Sequence, residues 1–329
     1  MGRPKGSTNK SNKTSVAVAE SSATKEQIKE PDNSRLDALK KVINEVNRNH
    51  KSTLLKFASE EQAPDRISFG IPAVDELTGG GIAHKRFTIL WGPKSAGKTT
   101  LCYKAIAEAQ KKDKLCAFID LERTFDPVWA TKMGVQLDKL VLGNEFKTAE
   151  EAMDFFINLV KNKVIDFIVL DSIQALSPKG EQETKKGVEK SLEDDTMALL
   201  ARKLSQFFRI ASGSVYSGNV AILLVGQART NLGGFIAFDQ LSGGNALAHW
   251  STMTMALRRG PKKDDPTKSE KIEIEEKQED GSVKIKKKTV ETVIGFNSVI
   301  KLEKRKIASA VEGTEISLPF YFEDGFLDK

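Results

Sequence analysis

The chain has 329 residues, of which 39% are hydrophobic, enough for one large or two modest domains with a real core. No apolar run reaches membrane-spanning length and the amino terminus is polar and basic, so a membrane span and a secretory signal are excluded and a soluble, cytoplasmic protein with no membrane partner is expected. A net charge of +6, from 51 basic against 45 acidic residues, is compatible with a polyanionic partner, and Cys102 and Cys116 lack metal-ligand or disulfide spacing and read as reduced, buried small hydrophobes.

Residues 1–33 read as a disordered arm, rich in Ser, Thr, Lys and Glu, with Arg3, Lys5, Lys10 and Lys13 and no acid in its first thirteen positions. Its Gly2-Arg3-Pro4-Lys5-Gly6 resembles the core of an AT-hook, although a solubilising tail has the same composition. Asp32-Asn33-Ser34 offers cap chemistry, and Leu36, Leu39, Val42, Ile43 and Val46 then recur at helical spacing, predicting an amphipathic helix over 35–48. Residues 34–60 are this helix and a linker, and the apolar face must dock either on the chain's own core or on a neighbouring subunit. Residues 61–329 form the main domain. Between Ile67 and Met255, strand-like runs at 86–91, 115–120, 139–143, 165–171 and 219–226 alternate with helical segments at 97–111, 126–133, 148–162 and 193–211. That alternation predicts an α/β fold whose mostly parallel twisted sheet is flanked by helices. The connections 177–192 and 228–245 are long enough to be functional loops. Residues 261–290 form a charge-dense insertion, with nine Lys and eight Asp or Glu between Lys262 and Lys288. Ile272 and Ile274 alternate with Glu, Val283 and Ile285 alternate with Lys, and Asp280-Gly281 supplies a turn, so a protruding β-hairpin is expected.

Gly92-Pro93-Lys94-Ser95-Ala96-Gly97-Lys98-Thr99 matches G-x-x-x-x-G-K-[ST] immediately after a strand-like run. Glycines let the backbone aim several N–H groups at one anion, and the helix beginning near Lys98 adds its positive dipole end. Lys98 then reaches the β/γ-phosphates, the Thr99 hydroxyl sits on Mg²⁺, and Thr100 follows in the same cradle. The apolar run Val164–Leu170 ends in Asp171, placed to meet the same metal ion, so Thr99 and Asp171 are the candidate metal ligands and ATP with Mg²⁺ the expected cofactors. Phe118-Ile119-Asp120-Leu121-Glu122 ends a neighbouring strand and puts Glu122 at the sheet edge where a water-orienting base must stand. Asp126 and Trp129 can accept the adenine amino group and stack on the base; a helix cap with a core Trp has the same sequence.

With Ala201-Arg202-Lys203-Leu204-Ser205-Gln206, Gln227-Ala228-Arg229, Ser242-Gly243-Gly244-Asn245-Ala246-Leu247 and Lys304-Arg305-Lys306-Ile307-Ala308, these motifs make the chain resemble the RecA-type homologous recombinases from about residue 35 to 329, in a form similar to phage-encoded members. The resemblance implies a RecA-like P-loop ATPase core and an amino-terminal helix that packs on the adjacent protomer of a helical filament. It implies a DNA-dependent ATPase that binds single-stranded DNA and pairs it with a homologous duplex, alongside single-strand-binding and loading proteins. Glu122 is then the base, Gln227 the γ-phosphate sensor, and Lys304 and Lys306, alternating along a strand, the cations that reach the neighbour's ATP. Arg202, Arg209 and Arg229 become candidate DNA phosphate contacts, Phe235 and Phe238 candidate wedges between bases, and Gly243, Gly244 and Asn245 candidate backbone contacts.

Ala248 and His249 replace a basic residue and an aromatic usual in bacterial members, Trp129 replaces a Tyr, and with the resemblance running to Lys329 a form lacking the family's carboxy-terminal domain is expected. A basic arm that supplies duplex contact in its place is one expectation. Two other readings use the same motifs: a RecA-fold hexameric replicative helicase, and an ATP-gated DNA-binding recombination mediator with little catalysis. Gly243-Gly244-Asn245-Ala246-Leu247 weighs against the first, and the joint presence of Glu122, Lys304 and Lys306 against the second.

Overall fold

The computed structural model describes residues 33–175, 197–231, 238–241, 245–277, 283–306 and 311–327. The chain divides into two units, Met1–Ala63 and Pro64–Lys329. In the first, helix α1 spans Asn33–His50 and buries none of its residues within this chain. Its carboxyl end is closed by Asn47, whose Oδ1 accepts from the backbone N–H of Leu54 and Leu55 at 2.7 and 2.9 Å, with Lys51 in the left-handed conformation just beyond the helix.

The second unit is built on one large sheet. In chain order it contains β1 (Arg66–Ile67), α2 (Pro72–Thr78), β2 (Ile82–Ala83), β3 (Phe87–Gly92), α3 (Lys98–Gln110), β4 (Cys116–Asp120), α4 (Pro127–Lys132), β5 (Leu140–Gly143), α5 (Ala149–Lys161) and β6 (Phe167–Asp171). There follow α6 (Met197–Gly218), β7 (Ala221–Asn231), β8 (Phe238–Leu241), α7 (Asn245–Trp250), β9 (Met253–Arg259), β10 (Thr267–Lys277), β11 (Val283–Val293), β12 (Gly295–Arg305), β13 (Glu315–Tyr321) and β14 (Gly325–Phe326). The main sheet runs β14-β13-β12-β9-β3-β7-β6-β4-β5. From β9 to β5 its neighbours are parallel; β12, β13 and β14 extend it as an antiparallel flank.

Because side chains alternate across a strand, each central strand feeds two cores. Leu90, Phe118, Phe167, Val169, Leu223 and Val225 pack with α2, α3 and α4 on one face. Ile89, Ile119, Ile168, Leu170, Ile222 and Leu224 pack with α5, α6 and α7 on the other. Strands buried on both faces must be continuously apolar, which explains why runs such as Phe167–Leu170 lack the polar alternation of a half-exposed strand.

Three expectations are revised. The stretch 228–245 is not simply a loop: β7 continues to Asn231 and pairs antiparallel with β8, Ala228 opposite Leu241 and Asn231 opposite Phe238, because backbone pairing satisfies polar groups that a loop would expose. The sheet also extends past Met255 into the antiparallel flank, which a search for strand–helix alternation passes over. The hairpin insertion is shifted relative to 261–290, with β10 and β11 pairing from Thr267↔Val293 to Lys277↔Val283. Its register sets Glu273 opposite Lys287 and Glu276 opposite Lys284, but Ile272 and Ile274 opposite Lys288 and Lys286. Both cysteines are buried and free, and burial pushes the Cys116 thiol up to about 12.

Candidate functional site

The carboxyl ends of β3, β4, β6 and β7 converge on one edge of the sheet, where open α/β sheets place their ligands. After Gly92 the chain leaves β3, turns through Ser95 and Gly97, both at positive φ, and enters α3 at Lys98. At Gly92 and Gly97 a side chain has no room: a Cβ on Gly92 would lie 1.9 Å from the Leu257 carbonyl oxygen, and one on Gly97 2.9 Å from the Phe326 ring. Only glycine fits there. The Lys98 ammonium lies inside the loop and donates to the carbonyls of Gly92 (2.9 Å) and Pro93 (2.7 Å). Burial lowers its pKa, opposed by the charges of Asp171 and Glu122.

The Thr99 hydroxyl donates to Asp171 Oδ2 at 2.7 Å, so the last residue of β6 and the first turn of α3 meet at one point. Burial pushes the Asp171 carboxyl up to about 6; the Thr99 donor and Lys98 pull the other way, while Glu122 and Asp120 add repulsion. A hydroxyl and a carboxylate side by side are oxygen ligands of the kind a hard divalent cation takes.

Glu122 stands in the turn after β4. Asp120, the last residue of that strand, shapes the turn by accepting from the backbone N–H of Glu122, Thr124 and Phe125 at 3.1, 2.8 and 2.7 Å. The Glu122 carboxylate accepts from the Ser172 hydroxyl and from the Gln227 side-chain amide, the latter at 2.5 Å. Gln227 is itself held by Gln174, whose side-chain oxygen accepts from the Gln227 backbone N–H at 2.7 Å. Sequence reasoning singled out Glu122 and Gln227 but not Asp120, Ser172 or Gln174, each of which lies within a few residues of a strand end already identified.

Lys98, Thr99, Thr100, Glu122, Asp171 and Gln227 line one cavity of about 410 Å³, together with Lys94, Ser95, Gly97, Arg259, Phe296, Phe320 and Phe322. The three phenylalanines come from the antiparallel flank and its end, and nothing local in sequence marks them. Asp126 and Trp129 do not line this cavity. Asp126 caps α4, its Oδ1 accepting from the N–H of Val128 (2.9 Å) and Trp129 (3.0 Å), and the Trp129 indole donates to the Thr100 hydroxyl at 3.0 Å while its ring packs on the core.

Lys304 and Lys306 both reach the carboxyl end of α7. The Lys304 ammonium donates to the carbonyls of Ala248 and Ser251, the latter at 2.9 Å, and Lys306 to the carbonyl of His249 at 3.2 Å. Cations at the last carbonyls of a helix complement its dipole. Desolvation first, then the neighbouring Lys306, lowers the Lys304 pKa. A register shift between Leu302 and Lys304 aims the pair, and the Glu303 carboxylate at this irregularity accepts from the Trp91 indole at 2.7 Å.

Arg202 and Arg209 are exposed on α6, seven residues apart and therefore on one face. The backbone of Arg229 pairs with Gln240 in the β7–β8 hairpin, Phe238 pairs with Asn231, and Asn245 opens α7. Phe235, Gly243 and Gly244 lie outside the described residues. Among the described residues no helix is long and apolar enough to cross a membrane.

Residues 37–301 match the family model described as the RecA N-terminal domain. Relatives named Protein RecA include that of Parvibaculum lavamentivorans, 34% identical over 69% of this chain and 62% of its own length, and that of Marinobacter nauticus, 35% identical over 69% and 65%. The Protein RecA of Syntrophus aciditrophicus is 32% identical over 88% of this chain and 77% of its own. The chain thus spans somewhat under two thirds of the length of the first two relatives. The glycine-bounded loop before α3, the strand-end Asp171 carboxylate and the Glu122–Gln227 pair agree with these likenesses, and the chain belongs to the RecA family.

Proposed function

We propose that this protein is an ATP- and DNA-dependent recombinase, which polymerises on single-stranded DNA and pairs it with a homologous duplex. The observation that carries this reading is the single edge at which Lys98, the Thr99–Asp171 pair and the Glu122–Gln227 pair meet in one cavity. On this reading the backbone from Gly92 to Thr99 cradles the triphosphate of ATP, with Lys98 turning from its own loop carbonyls to the β/γ-phosphates. Thr99 and Asp171 would hold magnesium, which when bound supplies charge neutralisation along the phosphates. Glu122 accepts the proton of the attacking water, and Gln227 moves its amide from Glu122 to the γ-phosphate. Because Gln227 lies in β7 just before the β7–β8 hairpin, that exchange reports nucleotide state to the segment assigned to DNA.

Asp126 and Trp129 flank the adenine end of the site, where the Asp126 Oδ2 is left to accept. Lys304 and Lys306 complete the site of an adjoining protomer, so turnover depends on assembly. Arg202, Arg209 and Arg229 meet DNA phosphates, Phe235 and Phe238 meet bases, and Gly243, Gly244 and Asn245 let the backbone approach closely, giving salt-dependent, sequence-tolerant binding. Residues 1–33 act as a basic arm, 34–60 as the oligomerisation helix and linker, and 61–329 as the ATPase core with its insertion at 261–290. Single-strand-binding and loading proteins are the further partners, in a cytoplasmic setting.

Negative-stain imaging with single-stranded DNA, magnesium and a nonhydrolysable ATP analogue tests the reading. Helical filaments are expected; closed rings would favour a hexameric helicase, and particles that stay monomeric would reject assembly altogether.

A further inference from the structure

The tip of the phosphate loop is gripped by residues far away in sequence. Arg259, the last residue of β9, donates from Nε to the Ser95 carbonyl at 2.9 Å, across 164 residues of chain. Ser298 of β12, fully buried, donates from Oγ to the Ala96 carbonyl at 3.0 Å. Arg259 and Ser298 are register partners, directly opposite each other on β9 and β12. Side chains of such a pair share a face of the sheet, so one cross-strand pair takes hold of two consecutive loop carbonyls.

The consequence follows from peptide geometry. In a trans peptide the C=O and N–H of one unit point in opposite directions. Fixing the Ser95 carbonyl therefore fixes the N–H of Ala96, and fixing the Ala96 carbonyl fixes the N–H of Gly97. These are loop amides of the kind that must converge on phosphate oxygens. Ser95, a non-glycine residue at φ 56°, needs such an external restraint, since the left-handed region costs it energy.

Arg259 is held in turn. Its guanidinium lies 4.1 Å from the Phe296 ring centroid, Phe296 stacks on Phe320 at 4.6 Å, and Phe320 meets Phe326 edge-on at 5.1 Å. Phe326 abuts Gly97, which closes the circuit back onto the loop. The adjacent Arg258 behaves otherwise and pairs with Glu315 at 3.2 Å. Arg259 also lines the nucleotide cavity, so its charge adds to the positive potential there.

We propose that Arg259, with Ser298, is a positioning residue for nucleotide binding: it presets the Ala96 and Gly97 amides of the phosphate loop in the same chain, from the root of the charged hairpin. The inference rests on the reading of this cavity as the ATP site.

The test uses the full chain with magnesium, and reads ATP affinity by calorimetry without DNA and then steady-state ATPase with single-stranded DNA. Arg259→Ala should weaken ATP affinity and raise KM about tenfold while leaving kcat at saturating ATP within about twofold, because binding and not chemistry loses its preorganisation. Arg259→Lys, which keeps a donor able to reach the Ser95 carbonyl, should recover most of the affinity, and Ser298→Ala should reproduce the KM effect. Unchanged ATP affinity in Arg259→Ala would overturn the proposal, as would a fall in kcat at constant KM. Lys98→Ala separates the two layers of argument: if it abolishes ATP binding while Arg259→Ala does not weaken it, the ATP site stands and the positioning role falls. Failure of the unaltered chain to bind ATP would remove both.

Discussion

Two sets of lysines rest on backbone carbonyls, Lys98 beyond the carboxyl end of β3 and Lys304 with Lys306 beside the amino end of β9, and their partners differ in kind. Lys98 is only 9% exposed and bonds to Gly92 and Pro93, members of the loop that it serves. Lys304 and Lys306 bond to Ala248, His249 and Ser251, at the end of a helix more than fifty residues earlier in the chain. The first arrangement is self-contained and travels with eight consecutive residues. The second ties the strand that carries the cations to the helix that follows the β7–β8 hairpin. In the proposed filament, the same contacts mean that movement of α7 and presentation of the two ammonium groups are coupled, since neither can shift without breaking charge-assisted hydrogen bonds.

The largest effect is expected at the cavity that Lys98 shares with Glu122. Glu122→Gln keeps the side chain's size and removes the proposed base, so DNA-stimulated ATPase should fall about a hundredfold or more with ATP binding retained. Retained turnover measured by phosphate release would show that the base lies elsewhere. The next largest effect belongs to the other set of lysines. Lys304→Ala and Lys306→Ala should leave ATP binding by the isolated chain within about twofold and lower DNA-stimulated turnover at least tenfold, as expected for cations that act only across an assembled boundary. Equal loss of both activities would instead assign the lysines to folding of α7.

A pH series probes the same cavity through Asp171. Asp171 binds its proton more tightly in the folded chain, with a pKa of about 6 against an ordinary value of 3.8. Its contribution to stability without ligand therefore declines as pH rises through that window, and Asp171→Asn should flatten the decline in thermal melts. Magnesium needs the carboxylate, so magnesium-dependent ATP binding should strengthen as pH rises through about 6 and level off above it. A profile flat from pH 5 to 8 would contradict the proposal that the buried Asp171 carboxyl holds magnesium. The smallest effect is structural: Asp126→Ala removes the α4 cap and should cost about 1 kcal/mol of stability, measured by denaturant unfolding. A much larger change in ATP affinity than in stability would show that Asp126 touches the nucleotide as well.

Legibility in the sequence followed locality. The phosphate loop, the Phe167–Asp171 strand and Glu122 were readable because their chemistry is carried by adjacent residues whose spacing is fixed by a strand followed by a turn. Asp120 and Ser172 stood beside those motifs and were passed over because a polar residue at a strand end has many structural uses. Gln174, Arg259, Ser298 and the Phe296–Phe320–Phe322 wall had no such signal. Their roles depend on which strands become neighbours, and β9 and β12 reach the loop only through pairing across the sheet. The antiparallel flank was missed for a related reason: strand–helix alternation finds parallel units, and three consecutive strands without helices break that rhythm.

The sequence alone was therefore enough for the class of fold and for Lys98, Thr99, Glu122, Asp171 and Gln227 as candidates for one site, because hydrophobic runs buried on both faces and a glycine-bounded turn before a helix admit few alternatives. Only the tertiary structure decided how that site is held. Asp120 shapes the Glu122 turn, Gln227 shares a hydrogen bond with Glu122, and the Arg259–Ser298 pair grips two loop carbonyls. Contacts between residues distant in sequence are set by strand order and register, and those are properties of the packed sheet as a whole.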